Sequence, residues 1–375
     1  MKSNFTSGLE RGLASLEAWG LVDGVQLAAG GWQLSTVARR HQNLRLECGR
    51  WPGLFIKWAS GDTRETLRTE AGFYAYCQAR PRVPRVAELM PTLHSFVEGE
   101  NALVTELVAG ARTLFPELRA HPASAIPLSV FAALGQALAT LHGEFGLQRA
   151  PAAPVPPGLS QLPPPPFGMH HPRAESLAHL SQANLKILGI LQSQPGLIGR
   201  LEALAMTWRK QTVIHGDVRS ENLLVLPASP GEQHQVRLVD WEYVRWGDPA
   251  WDVGSGLAEI LRFWLLGLPL ETDLAAEDRA AAAEYPLQVL QPAMRELWRA
   301  YCAAADVEGD DLVALLRRSV EQSALRLIRL AWEYSQEAAE LSSLAVLLLQ
   351  TGVNVLENPE EAVGVLYALD RGSEP

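Results

Sequence analysis

Near the start of the chain, apolar and polar residues alternate over several short stretches, and a two-residue period marks strands with one buried face. Val25–Ala28 opens one such stretch, and Ala29-Gly30-Gly31-Trp32 breaks it. Leu44–Glu47 alternates, Trp51-Pro52-Gly53 reads as a turn, and Leu54–Ala59 alternates again. Phe55 and Lys57 then share one side of a strand. From about Thr63 to Ala79 the pattern turns helical, with Glu65, Arg68 and Glu70 among the polar positions. Thr92–Val97 and Ala102–Glu106 read as a strand pair joined by Glu98-Gly99-Glu100-Asn101.

Beyond Gly110 the helical period dominates. Leu128, Phe131, Leu134, Leu138 and Leu141 recur at three- and four-residue steps and make one apolar stripe. Pro151 to Pro172, with Pro163-Pro164-Pro165-Pro166 inside it, predicts an extended surface linker, a lid or a ligand for a proline-binding module. The C-terminal part reads as helices, with Leu312, Leu315, Leu316, Leu325, Ile328 and Leu330 feeding a core. Asn358-Pro359-Glu360-Glu361 has the order of a helix start: a cap, a proline in the first turn, then acids near the positive end. The pattern predicts an α+β chain in two lobes. Residues 1–109 form a small lobe on an antiparallel sheet, and 110–375 form a large, mostly helical lobe with a proline-rich loop at 151–173.

Composition narrows the function. A chain of 375 residues suffices for two cores. The formal net charge is −10 and no Lys/Arg-rich run appears, which excludes nucleic acid as the main partner. An acidic surface suits a cationic small molecule or a basic peptide slightly better, and the plainer reading is that the charge keeps the protein soluble. No run of eighteen apolar residues occurs, so no membrane span is expected; Leu257–Leu270 carries Glu259 and Arg262. Met1-Lys2-Ser3-Asn4-Phe5 leads into no apolar signal core. Cys48, Cys77 and Cys302 lie far apart and make no metal spacing, and His170-His171 alone is too little for a metal site. The expectation is a cytoplasmic, disulfide-free protein. Nothing in the sequence sets the oligomeric state.

One stretch carries chemistry. Val213-Ile214-His215-Gly216-Asp217-Val218-Arg219-Ser220-Glu221-Asn222 is a loop with an acid at Asp217 and an amide at Asn222. A short apolar strand, a turn and a second apolar strand follow, ending in Asp240-Trp241-Glu242. Phosphoryl transfer needs these parts: one carboxylate orients the acceptor hydroxyl, while an amide and another carboxylate hold magnesium against the phosphates.

His215-Gly216-Asp217, the later Asn222, Asp240-Trp241-Glu242 and Gly247-Asp248-Pro249-Ala250-Trp251-Asp252 resemble aminoglycoside phosphotransferases and the related choline kinases. The resemblance is strongest from Val213 to Glu259 and fair from Lys57 to His142. It implies a protein-kinase-like fold that uses ATP and Mg2+. In that frame Lys57 touches the phosphates, Glu70 (less readily Glu65) pairs with it, and Gly30 and Gly31 close over them or make a plain hairpin turn. Backbone groups from Glu106 to Val108 meet the adenine edge. Asp217 orients the acceptor, and Asn222 and Asp240 bind the metal. His215 and Asp252 hold the loop, and His142 supports it. Arg219 stands near the γ-phosphate or faces solvent. Glu242 touches metal or acceptor, with a solvated side chain as the plainer reading. Glu259 matches an acid that choline kinases place near their cationic substrate, although those enzymes usually carry Asn where this chain has Gly216.

Three readings of function follow. The first is a kinase for a hydroxyl of a small, cationic metabolite or antibiotic. The second is a peptide Ser/Thr kinase, because the C-terminal part faintly resembles phosphotransferases of ribosomal-peptide natural-product pathways. The third is a non-catalytic nucleotide-binding scaffold, against which intact Lys57, Asp217, Asn222 and Asp240 speak.

Overall fold

A computed structural model describes residues 15–23, 32–38, 42–48, 51–80, 84–146, 155–229, 231–270, 275–305 and 307–369. The chain divides into two units, Met1–Ala111 with Val239–Tyr243, and Arg112–Leu238 with Val244–Pro375.

The first unit is built on a five-stranded antiparallel sheet of order β1-β2-β3-β5-β4. Its strands are β1 (Trp32–Ala38), β2 (Gln42–Cys48), β3 (Trp51–Trp58), β4 (Leu93–Val97) and β5 (Ala102–Glu106). Alternation along the central strands sends Leu44, Leu46, Leu54, Ile56 and Val104 to one buried face, where Leu16 and Val22 join them. Lys57 takes the other side of β3, opposite Asn43 on β2 and Leu103 on β5. The helix Arg64–Gln78 follows and buries Leu67, Glu70, Ala71, Phe73, Tyr74 and Cys77 along one stripe. Asn101 makes the reversal before β5 at φ 48°, a left-handed conformation that asparagine tolerates. The expected strand at Val25–Ala28 and the glycines Gly30 and Gly31 lie outside the described residues. The first described strand starts at Trp32, where the sequence pattern placed a break, and it pairs with β2 along its whole length.

The second unit is mostly helical. Its short strands form a three-stranded sheet, order β6-β8-β9 (Arg112–Thr113, Leu223–Val225, Val236–Leu238), and a pair, β10-β7 (Arg245–Gly247, Thr212–Ile214). Helix Leu128–Glu144 packs on Leu287–Ala305, and Pro249–Leu266 packs on Gly309–Tyr334, which also meets Ser343–Glu357. All three crossings are close enough to need glycine: a Cβ on Gly352 would stand 2.8 Å from the Ala324 carbonyl oxygen, and the other two are closer still. A Cβ on Gly254 would stand 2.4 Å from the Ser319 carbonyl oxygen, and one on Gly135 would stand 2.4 Å from that of Leu297.

Pro249–Leu266 starts at Asp248, whose side chain accepts the Ala250 N–H at 3.0 Å, with Pro249 in the first turn. Asp248 is fully buried and also receives Arg318 Nε at 3.0 Å and Gln322 Nε2 at 3.3 Å. In the stripe of the helix Leu128–Glu144, Phe131, Leu134, Leu138 and Leu141 are buried, while Leu128 at its end is 39% exposed. Asn358 stands at the cap position of Pro359–Val365 but makes no side-chain capping bond. The proline-rich stretch departs from a surface linker. Phe167, in the turn Pro165–Gly168, is buried against Trp208 and Trp251 with ring centroids 5.2 and 5.6 Å away. Hydrogen bonds hold the stretch as well: the Ser160 carbonyl accepts the Trp246 N–H at 2.9 Å and the Leu162 carbonyl accepts from Arg245 Nη1 at 3.2 Å. Among the described residues, no helix is long and apolar enough to cross a membrane.

Gly254→Ala should destabilise the chain by about 1–3 kcal/mol, because the obstructing atoms are backbone and cannot swing away. That outweighs the roughly 0.8–1 kcal/mol by which alanine is favoured over glycine inside a helix. Gly189→Ala, in the exposed interior of Gln182–Gln192 with open space around it, should instead stabilise by up to about 1 kcal/mol. Urea midpoints of the two variants, expected on opposite sides of the parent, check the comparison.

Candidate functional site

The residues singled out by sequence fall into two sets, one in each unit. In the first unit, Lys57 is 4% exposed. Its Nζ lies 2.8 Å from Glu70 Oε2, also bonds the Asp240 carboxylate, and stands 3.8 Å from Glu242 Oε2. Burial alone would pull the Lys57 ammonium down in pKa, but the three carboxylates overcome it and hold the group well above its usual range. Burial pushes the Glu70 carboxyl up to about 7, with Lys57 opposing the shift. The other Glu70 oxygen accepts the Trp241 N–H at 3.3 Å, and the Trp241 ring packs on Phe73 at 5.0 Å. Glu65 is exposed at the helix start, so Glu70 is the helix acid that meets Lys57. Asp240 sits at φ 66°, a left-handed conformation that its short polar side chain tolerates.

Glu242 is not solvated as its sequence context predicted. It is 8% exposed and accepts a hydrogen bond from Thr66 Oγ1 at 3.2 Å, because Lys57 and the helix start supply partners that sequence distance hides. Glu106 ends β5. Its N–H donates to the Thr92 carbonyl at 2.8 Å and its carboxylate accepts from Thr92 N and Oγ1. Two residues on, the Val108 carbonyl accepts the Ala111 N–H at 3.4 Å.

In the second unit, the loop from His215 to Asn222 is braced by one helix. Asp252, fully buried, accepts the N–H groups of His215 at 2.6 Å and Gly216 at 3.0 Å. It also meets His142 Nε2 at 3.2 Å, and His142 Nδ1 lies 2.9 Å from the Tyr301 hydroxyl. Trp251 Nε1 donates to the Gly216 carbonyl at 2.9 Å. Two helical turns on, Glu259 accepts the Ser220 N–H at 2.7 Å. Ser220 Oγ in turn accepts the Phe115 N–H at 2.9 Å. Within the loop, the Asn222 amide donates to both the backbone carbonyl and the carboxylate of Asp217 at 3.0 Å, and His215 Nδ1 accepts the Asp217 N–H at 3.3 Å.

Glu259 is 1% exposed and paired with Arg262 at 2.9 Å through the same oxygen that accepts the Ser220 N–H, while its other oxygen is buried without a hydrogen-bond partner. Burial pushes its carboxyl up in pKa, and the Arg262 guanidinium works against the shift. Arg219 is half-buried and bonds Glu221 at 2.8 Å and Glu333 at 3.3 Å. Burial alone would raise the Glu221 carboxyl, but hydrogen bonds and charge from Arg262 and Arg219 hold it well below the ordinary carboxylate range. Sequence reading missed Arg326, whose Nη2 lies 3.1 Å from Asp217 Oδ1, and its neighbour Glu333. The available signal was Arg326, Arg329 and Glu333 at helical spacing on one face of Gly309–Tyr334.

The sequence pattern of the phosphotransferase enzyme family matches residues 24–287. A choline/ethanolamine kinase family protein from Mesorhizobium loti has a similar structure, with TM-score 0.52, 16% identity, and coverage of 94% of this chain and 96% of that one. Choline kinase from Cryptosporidium parvum Iowa II gives TM-score 0.53 at 12% identity, over 94% and 95% of the two chains. At these identities the likeness speaks for the fold, which is α+β and protein-kinase-like. No curated protein sequence matches the chain.

The two ends of the loop should loosen separately. Asp252→Asn puts an amide where two N–H donors converge, and losing hydrogen bonds to a charged group costs about 1.5–3 kcal/mol each. The His215 and Gly216 amides should then exchange faster with solvent, while Ser220 stays protected. Glu259→Gln should expose the Ser220 amide alone. Residue-resolved hydrogen exchange on both variants is the measurement, and equal loosening at both ends would refute separate bracing.

Proposed function

The chain belongs to the phosphotransferase enzyme family, and from that footing we propose that it moves the γ-phosphoryl group of ATP, with Mg2+, to a hydroxyl of a small-molecule acceptor. The observation that carries this reading is the Asp217 carboxylate, fixed by the Asn222 amide and Arg326 on a loop braced at both ends. Positioning of the acceptor hydroxyl is what a loose phosphoryl-transfer transition state asks of a protein. In the reaction the acceptor oxygen bonds to the γ-phosphorus, the bond to the bridging oxygen of ADP breaks, and the acceptor proton passes to Asp217.

The groups present fit a nucleotide and a hard cation. Lys57 is a buried ammonium held firmly in its charged form, which suits phosphate oxygens. Asp240 offers a carboxylate. Asn222 commits its amide nitrogen to Asp217, which leaves its oxygen as the donor for a metal. Mg2+, when bound, neutralises charge on the phosphates. Glu70 orients Lys57, and Asp252 with His142 and Glu259 holds the loop. Glu259 serves the loop through Oε2, bonded to Ser220 and Arg262.

Calorimetric titration with ATP should show binding that strengthens with Mg2+ and is lost in Lys57→Met. Asp217→Asn should lower turnover at least about a hundredfold, the usual weight of general-base catalysis, with ATP affinity nearly unchanged. Asp240→Asn should weaken the Mg2+-dependent part of nucleotide binding. A phosphate-transfer screen over aminoglycosides, amino alcohols and Ser/Thr peptides identifies the acceptor class. Turnover that survives Asp217→Asn would overturn the assignment, and transfer only to peptides would overturn the small-molecule acceptor.

A further inference from the structure

The proline-rich segment ends in a cluster that phosphoryl transfer does not use. His170 and His171 follow the turn Pro165–Gly168, and Glu202 lies on the helix Pro195–Met206 packed against that turn. One ligand atom from each of the three side chains can be chosen so that all lie within 4.8 Å of one another. His171 Nε2 is 3.4 Å from Glu202 Oε1. Two ligands of one tetrahedral zinc, at bonds of about 2.0–2.1 Å, stand roughly 3.3 Å apart. The two imidazole rings are 4.4 Å apart, so small side-chain rotations close the set.

His170 supplies an independent observation. It is 3% exposed, and neither ring nitrogen has a hydrogen-bond partner. A buried imidazole with both nitrogens unsatisfied is unfavourable unless something fills the gap. Its backbone carbonyl accepts Gln192 Nε2 at 2.9 Å, which ties the residue to the helix Gln182–Gln192.

We propose that His170, His171 and Glu202 bind a late first-row divalent cation, Zn2+ in the first place, with water completing its coordination. Imidazole nitrogens favour zinc, copper and nickel, whereas all-oxygen donor sets favour magnesium, so donor chemistry separates this site from a magnesium site. The bound ion clips the end of the proline-rich segment to Pro195–Met206. The site owes nothing to the phosphotransferase reading and is tested without nucleotide.

The experiment uses the full, untagged chain, stripped of metal by a chelator and titrated with Zn2+ alone under excess Mg2+, which occupies the oxygen sites. Wild type should take up one Zn2+ per chain, melt at a higher temperature with Zn2+ than without, and show a tetrahedral absorption band when Co2+ replaces Zn2+. His171→Ala and Glu202→Gln alter exposed side chains, and each should weaken Zn2+ binding at least about tenfold. His170→Ala should do the same, and if it fails to fold the two exposed variants decide. No Zn2+ uptake, an unchanged melting temperature, or equal uptake by the exposed variants overturns the proposal and leaves a water-filled gap beside His170.

Discussion

Buried backbone N–H groups must find acceptors, and the loop from His215 to Asn222 meets that demand with two carboxylates of a single helix. Asp252 takes the first pair of amides and Glu259 takes the Ser220 amide. The two acids are seven residues apart, two turns of helix, and so lie on one face. The helix is itself fixed at its start by Asp248, which caps it and receives Arg318. It is fixed along its length by the close crossing at Gly254. A displacement of this helix would leave loop amides unsatisfied, so helix packing sets where Asp217 sits.

The same economy governs the buried charges. Every ion taken from water is costly unless charged and hydrogen-bonding partners surround it. Lys57 meets Glu70, Asp240 and Glu242, while Arg262 meets Glu221 and Glu259. Such clusters contribute little net stability. They hold side chains in one arrangement, which is the property phosphoryl transfer draws on.

The alternation around Leu54–Ala59, the helix that follows it and the strand pair ending at Glu106 were legible because each is long enough to show its period and has a turn at its border. The α+β class was legible for the same reason. β6, β7 and β10 were not, since strands of two or three residues carry no period. In the site, residues of one motif were easy to group, but Asp248 with Arg318 and Asp217 with Arg326 join positions far apart in sequence. The enclosure of Glu259 and Glu242 was hidden too, because an acid's exposure is decided by neighbours on other elements. Phe167 anchors a stretch whose prolines pointed only to an extended backbone.

The residues Val239–Tyr243 complete the first unit, although the chain has by then passed through much of the second. They bring the Asp240 carboxylate to Lys57 and the Trp241 ring to Phe73. A gene fragment ending at Ala111 would therefore encode the sheet and leave Lys57 without two of its three counter-charges, Asp240 and Glu242. During synthesis, which proceeds from the N-terminus, the first unit has to wait for Tyr243 to leave the ribosome before its own interior is whole. Its maturation is thus timed by translation of a segment belonging to the other unit.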